Sequence, residues 1–228
     1  MGYTYRSSPR GMEDMTSQEA GMSKRITGYR ELRKAIPDLV SGRMEPEDWL
    51  DTGCGMGGSI RSSVERFQST RFYLADPSEE NLAQARRTLD GRIERTFNAP
   101  THDLDLPDES FDVITAILSH HYYSDRCQKM AATRNCLRML RKGGYYIVVE
   151  HVRHDGSQEK ADAEWREYMM SSGLREESIE EMFERRGKVY FPYTEEEYGE
   201  FLAESGFVDV EVFWRTCSDV GFITRRPM

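Results

Sequence analysis

Strand-like apolar runs alternate with helix-like segments from about residue 45 to the C-terminus, and this restricts the fold more than any other feature. The first run ends in "DWLDTG", followed by a glycine-rich turn and a helix from Gly57 to about Phe67. "RFYLAD" reads as a buried strand. In "PSEENLAQARRTLDG", Pro77 opens a helix that Ser78 caps and Gly91 closes. "IERTFN" is a third strand, and "FDVITAIL" is apolar on both faces, as a central parallel strand must be. A helix over residues 124–141 stops at "RKGG", and "YYIVVE" is the fifth strand. The helix "TEEEYGEFLAESGF" precedes "VDVEVFWRT" and "VGFITRR", which are close enough to pair as a hairpin. This order predicts an open, mostly parallel sheet with helices on both faces.

The turn "DTGCGMGG" contains Gly53, Gly55 and Gly58 in the spacing of a dinucleotide loop. A helix N-terminus behind a glycine turn offers N–H donors to an anion. Asp51, two residues before the first glycine, places a carboxylate where a pyrophosphate would sit. That arrangement disfavours phosphate and favours a ligand bearing an ammonium group. Asp76, at the end of the second strand, is placed to accept ribose hydroxyls. Together the two acids predict a ligand that joins a ribose to an amino-acid group.

The remaining features weigh against several classes. With 31 Lys and Arg against 40 Asp and Glu, the net charge of −9 repels a nucleic-acid backbone. Cys54, Cys127, Cys136 and Cys217 form no C-x-x-C pair, so neither a zinc site nor a disulfide framework is expected. Cys127 and Cys136 are expected to be small buried residues of a helix. No run of eighteen apolar residues spans a membrane, and the first residues lack the apolar core of a secretory signal, so a cytoplasmic location is the default expectation. Residues 1–16 are expected to form a flexible arm, and residues 17–228 a single domain. "SQEAGMSKRITGYRELRKAI", residues 17–36, is expected to be helical up to Pro37. Residues 155–192 change character, with Trp165, Tyr168, Met169, Met170 and Tyr190 among many charges. They are expected to form a substrate-side insertion that governs acceptor choice and not cofactor affinity.

"LDTGCGMGG", "YLADPSEENLAQAR", "HDLDLPDESFDVITAILSHHY" and "CLRMLRKGGYYIVVE" occur in the order of the motifs of the class I S-adenosylmethionine-dependent methyltransferases, which this chain resembles. The resemblance implies a Rossmann-like, seven-stranded, mostly parallel sheet with a C-terminal antiparallel hairpin. It implies S-adenosylmethionine as cofactor, S-adenosylhomocysteine as product and no metal. The implied cofactor contacts are Gly53, Cys54, Gly55, Asp51, Asp76, Pro77 and Asn81, with Ala116 and Ile117 beneath the methionyl part. Asp103 and Leu104 would meet the adenine, with Asp105 as an alternative acid. "KRITGY" also resembles a segment of the tRNA uridine carboxy-S-adenosylmethionine synthase group, with Thr27 in place of a proline. There Tyr29, with Arg25 and Arg30, would lie near the methionyl end.

"SHHYYSD" follows the fourth strand, where the catalytic side should meet the cofactor. His121, with His120 as the alternative, could take a proton from an acceptor, and Tyr122 or Tyr123 could position it. The expected partner is a small organic methyl acceptor, on a protein that is a monomer or homodimer. Three other activities remain open at this stage: a tRNA- or cofactor-modifying enzyme, a non-catalytic cofactor-binding module, and a dehydrogenase.

Overall fold

The computed structural model describes residues 17–89 and 91–228, with side chains from residue 20 onward. The expected arm, residues 1–16, lies outside the described residues. Seven strands form one sheet in the order β3-β2-β1-β4-β5-β7-β6. They are β1 (Asp48–Thr52), β2 (Arg71–Ala75), β3 (Ile93–Phe97), β4 (Phe111–Ile117), β5 (Leu140–His151), β6 (Val208–Arg215) and β7 (Asp219–Arg225). The first five pair in parallel, whereas β7 runs antiparallel to both β5 and β6. The strand order therefore reverses between β1 and β4, and the crevice above such a reversal is where ligands bind in open α/β sheets.

Alternation within the strands builds two cores. Trp49, Val113, Ile147 and Val149 face one side with the buried residues of α2 (Tyr29–Ser41), α3 (Arg61–Arg66) and α4 (Glu79–Thr88). Leu50, Ile114, Tyr146 and Val148 face the other with α5 (Arg126–Met139) and α8 (Glu195–Glu204). Every residue of β1 is buried, as a strand covered on both faces requires. Between β5 and α8 stand α6 (Gln158–Ser171) and α7 (Glu176–Glu184), which share a small core of Trp165, Met169 and Ile179.

Four local expectations are corrected. The N-terminal helix is two helices, α1 (Ser17–Arg25) and α2, broken at Gly28, whose φ of 69° L-residues rarely adopt. Pro37 does not end α2 but lies inside it, because burial of Leu32, Ile36, Pro37 and Val40 on one face outweighs the missing N–H. "RKGG" is no helix stop: α5 ends at Met139, and these residues form the irregular first part of β5, where the pairing with β4 shifts register. Cys127 is exposed whereas Cys136 is buried, since only the latter faces the sheet from α5.

The helix after the glycine turn starts later than expected, at Arg61, because residues 53–60 form a longer loop. Gly53 (φ 65°) packs so closely that a Cβ there would lie 2.4 Å from Cβ of Ser119. Gly53→Ala should therefore lower stability by about 2–4 kcal/mol, from left-handed strain and overpacking together. In thermal denaturation this is a fall on the order of 5–10 °C. An unchanged midpoint would mean that the turn is not held against the chain leaving β4.

Candidate functional site

A cavity of about 530 Å³ opens above the C-terminal ends of β1, β2 and β4. That volume lies within the roughly 300–1,000 Å³ of ligand clefts. Its walls include the turn at Gly53–Gly55, the start of α4 at Asp76–Ser78, Pro100 and Thr101 after β3, and Ile117–His120 after β4. Met22 of α1 and Tyr29 of α2 close it from the N-terminal side.

Asp76 ties two of these walls together. Its Oδ2 accepts the Gly55 N–H at 2.9 Å. Its Oδ1 accepts the Ser78 N–H at 2.9 Å and the Asn81 side-chain amide at 3.1 Å. Ser78 in turn caps α4 by accepting the Asn81 N–H at 3.2 Å. A carboxylate offers about four lone-pair sites, so three protein donors leave one for a ligand hydroxyl. Asn81 and Pro77 also line the cavity.

Asp51 sits one layer deeper and does not line the cavity. It is 1% exposed, and its Oδ1 accepts the Thr115 hydroxyl at 2.6 Å. Among the described residues no donor is placed to bond its Oδ2. Burial pushes its pKa up to about 7, Asp76 adds to the rise, and the hydroxyls of Thr115 and Ser59 oppose it. Ser59 lines the cavity, so this carboxyl lies just behind its wall. A buried acid short of a donor, beside a glycine turn and the Asp76 carboxylate, fits a cofactor with an ammonium group and a ribose. The Cys54 thiol lines the cavity too, but burial, with Asp51 and Asp76 adding to the effect, pushes it well above its ordinary pKa and leaves it unreactive.

Leu118 leaves β4 with a φ of 54°, a conformation costing about 1–3 kcal/mol in a non-glycine residue and concentrated at functional sites. The turn that follows presents Ser119, His120 and Tyr122 to the cavity and sends His121 away from it. His120 is held on both ring nitrogens, by the Thr101 hydroxyl at 3.2 Å and the Tyr146 hydroxyl at 3.1 Å. Burial drives its pKa down to about 3, with Lys129 and His102 adding to the fall, so it is a neutral structural link at ordinary pH. Among the described residues neither ring nitrogen of His121 has a hydrogen-bond partner. Its Nδ1 lies 3.8 Å from Oε2 of Glu150, which is itself 4.0 Å from Nζ of Lys129. Burial lowers the His121 pKa well below the ordinary value and raises that of Glu150. Beyond His121 lie His151, paired with Asp219 at 2.5 Å, and Tyr190.

Tyr29, Gly53, Cys54, Gly55, Asp76, Pro77, Asn81, Ile117, His120 and Tyr122 are thus brought together around one cavity, whereas five other expected residues are not. Asp51 lies behind the wall, and Ala116 and Leu104 are buried in the core on the far side of the sheet. Asp103 is exposed beside His102, and His121 faces the insertion. Sequence reasoning missed Met22, Ser59, Pro100, Thr101 and Ser119. Thr101 carried a signal, since it is two residues before the acid assigned to the adenine. It bonds the Thr52 hydroxyl at 2.6 Å as well as His120. Trp165 and Met169 are buried in the small core of the insertion, and Met170 is exposed. Among the described residues no group of three His, Cys, Asp or Glu side chains could hold a metal, and no helix is long and apolar enough to cross a membrane.

Comparison with known proteins agrees with this geometry. A family model described as a methyltransferase domain matches residues 50–144, from β1 into β5. Demethylmenaquinone methyltransferase of Thermotoga maritima is 29% identical over 119 residues, 52% of this chain and 49% of that protein. The match to this curated relative thus spans about half of the relative's length. A solved S-adenosylmethionine-dependent methyltransferase from Thermotoga maritima superposes with a TM-score of 0.61 at 19% identity, covering 92% of this chain and 94% of that one. The 1,6-didemethyltoxoflavin-N1-methyltransferase of Burkholderia thailandensis, solved with its substrate and S-adenosylhomocysteine, gives 0.61 at 18% identity over 92% and 82%. At such identities these two structures speak for the fold alone. Residues 50–144 match a methyltransferase domain, and the seven-stranded sheet with its terminal hairpin and the cavity at the strand reversal agree with the fold of the class I S-adenosylmethionine-dependent methyltransferases, whose cofactor is S-adenosylmethionine.

Proposed function

We propose that the protein methylates a small organic acceptor by in-line displacement. The observation that carries this reading is the cavity at the strand reversal, where the glycine turn, the Asp76 carboxylate and the buried acid Asp51 converge. S-adenosylmethionine, when bound, supplies a methyl group on a sulfonium that is already a good leaving group. The protein's part is then to hold and align two molecules and to exclude water. The N–H groups of the turn and the free lone pair of Asp76 hold the donor, and Asp51 answers its ammonium group. Ile117 and Leu118 form an apolar floor. The net charge of −9 and the apolar content of the insertion favour an organic acceptor over nucleic acid.

For an acceptor that must lose a proton, we assign the base to His121. His120 has both nitrogens engaged, whereas both of His121 are unpartnered and its ring is neutral. Closing the 3.8 Å gap to Glu150 would orient one nitrogen and leave the other as a proton acceptor. Tyr122, 54% exposed and with its ring 4.4 Å from that of His121, stands between it and the cavity. Access to His121 then requires Tyr122 to swing aside.

Calorimetric titration tests the reading directly. S-adenosylmethionine and S-adenosylhomocysteine should bind at one site and reduced nicotinamide nucleotide should not; the reverse would make the protein a dehydrogenase. The same titration at several pH values tests Asp51. A ligand ammonium group favours the carboxylate, so affinity should rise with pH through about 7 and binding should release protons below it. Asp51→Asn should abolish the pH dependence and weaken binding about tenfold or more, through loss of a charge-assisted bond. A pH-independent wild type would separate Asp51 from the donor. Once an acceptor is known, His121→Ala should lower turnover at least about tenfold with S-adenosylhomocysteine affinity retained. Normal turnover would reduce catalysis to alignment.

A further inference from the structure

The sequence led us to expect that the segment between β5 and α8 acts on the acceptor alone. Its hydrogen bonds reach the donor side. The last turn of an α-helix leaves carbonyl oxygens without intrahelical partners, and at the end of α1 two aromatic side chains of α6 take them. The Trp165 indole N–H donates to the carbonyl of Arg25 at 2.6 Å. The Tyr168 hydroxyl lies 2.5 Å from the carbonyl of Ser23 and 3.2 Å from that of Ile26. The Met22 carbonyl keeps a helical bond, accepting the Ile26 N–H at 2.8 Å, and the Ile26 carbonyl also accepts the Tyr29 N–H at 3.2 Å.

The residues so fastened bear on the cavity. Met22 lies within the capped turn of α1, and Tyr29 begins α2 three residues after Ile26; both line the wall where the donor is placed. On its other side the 26–29 link rests on the terminal hairpin. Thr27 Oγ1 lies 3.9 Å from the Cys217 sulfur, and Gly28 packs against the Trp214 ring. The link is short and holds one left-handed residue, so it transmits the position of α1 to Tyr29 with little slack. Trp165 is itself fixed, 2% exposed and packed against His151 and Phe183.

We infer that Trp165 and Tyr168 are positioning residues for the methyl donor: their N–H and O–H groups cap α1 and thereby set Met22 and Tyr29 at the cavity wall. Donor affinity is then governed in part from the segment expected to serve the acceptor. By linkage, any acceptor that shifts α6 changes donor affinity, and the donor changes acceptor affinity by the same factor. This rests on the donor reading of the cavity given above.

Tyr168→Phe keeps the ring and removes only the hydroxyl; Trp165→Phe removes the indole N–H together with the pyrrole part of the ring system. Each should weaken S-adenosylhomocysteine binding about threefold and the pair about tenfold, as loss of one or two hydrogen bonds of ordinary strength implies. The denaturation midpoint of Tyr168→Phe should stay close to that of the parent, whereas Trp165→Phe also loses core volume and should lower it. Lys160→Ala, on the exposed side of the same helix, should leave affinity unchanged. Unaltered affinity in the folded double variant overturns the inference; should Trp165→Phe fail to fold, Tyr168→Phe alone decides. Amide exchange without ligand separates this result from failure of the donor reading. In the double variant, or in Tyr168→Phe if that is the one that folds, the Ile26 amide should exchange about tenfold faster while β4 and β5 keep their protection. If the parent binds no S-adenosylhomocysteine the donor reading falls, and exchange still judges the cap. Unchanged exchange at Ile26, or equal acceleration throughout β4 and β5, overturns it.

Discussion

The Asp76 carboxylate holds the site in shape. It accepts an N–H from the turn after β1 and an N–H and an amide from the start of α4, so one buried group fixes two connections that are not adjacent in sequence. Backbone donors in a glycine turn are otherwise solvated and mobile; bonded to a carboxylate that is 6% exposed, they point in one direction. The parallel pairing of β1 with β2 from Asp48↔Arg71 to Thr52↔Ala75 brings Asp76 level with that turn. The topology is thus what makes the contact, and the contact is what makes the cavity wall.

Behind the wall the site divides into two electrostatic regions. On the proposed donor side lie two carboxylates, Asp51 and Asp76, and among the described residues no Lys or Arg lines the cavity. On the other side His121, Glu150, Lys129 and Asp219 are buried together with the half-buried His151, against which Trp165 of α6 and Tyr190 pack. His120 stands between them: its ring joins Thr101 and Tyr146 while its backbone N–H donates to Oε1 of Glu150 at 3.0 Å. Acid alone suits a cationic donor, whereas a set containing both signs can take up a proton without gaining an unpaired charge.

Much of this was legible in the chain. The strand and helix alternation, the terminal hairpin, Asp76 and the Gly53–Gly55 turn all follow from local patterns, and the fold keeps them. What was not legible depended on packing between distant segments. Pro37 sits inside a helix because its buried face outweighs a missing N–H. Asp51 retreats behind the cavity because Thr115, on the neighbouring strand, captures one of its oxygens. Which of two adjacent histidines faces the cavity was set by the left-handed turn at Leu118, and nothing local to "SHHYY" shows that turn. The link from Trp165 to Arg25 spans most of the chain and has no signature in either segment.

The central claim is that the turn at Gly53–Gly55 and the Asp76 carboxylate form the donor site. Backbone amide shifts on addition of S-adenosylhomocysteine test it most directly. The account predicts large changes at Gly53, Cys54, Gly55 and Asp76, with smaller ones at Thr101 and Ile117–His120 and none along β6. Shifts that leave Gly53–Gly55 untouched, or that cluster on another face of the sheet, would contradict it.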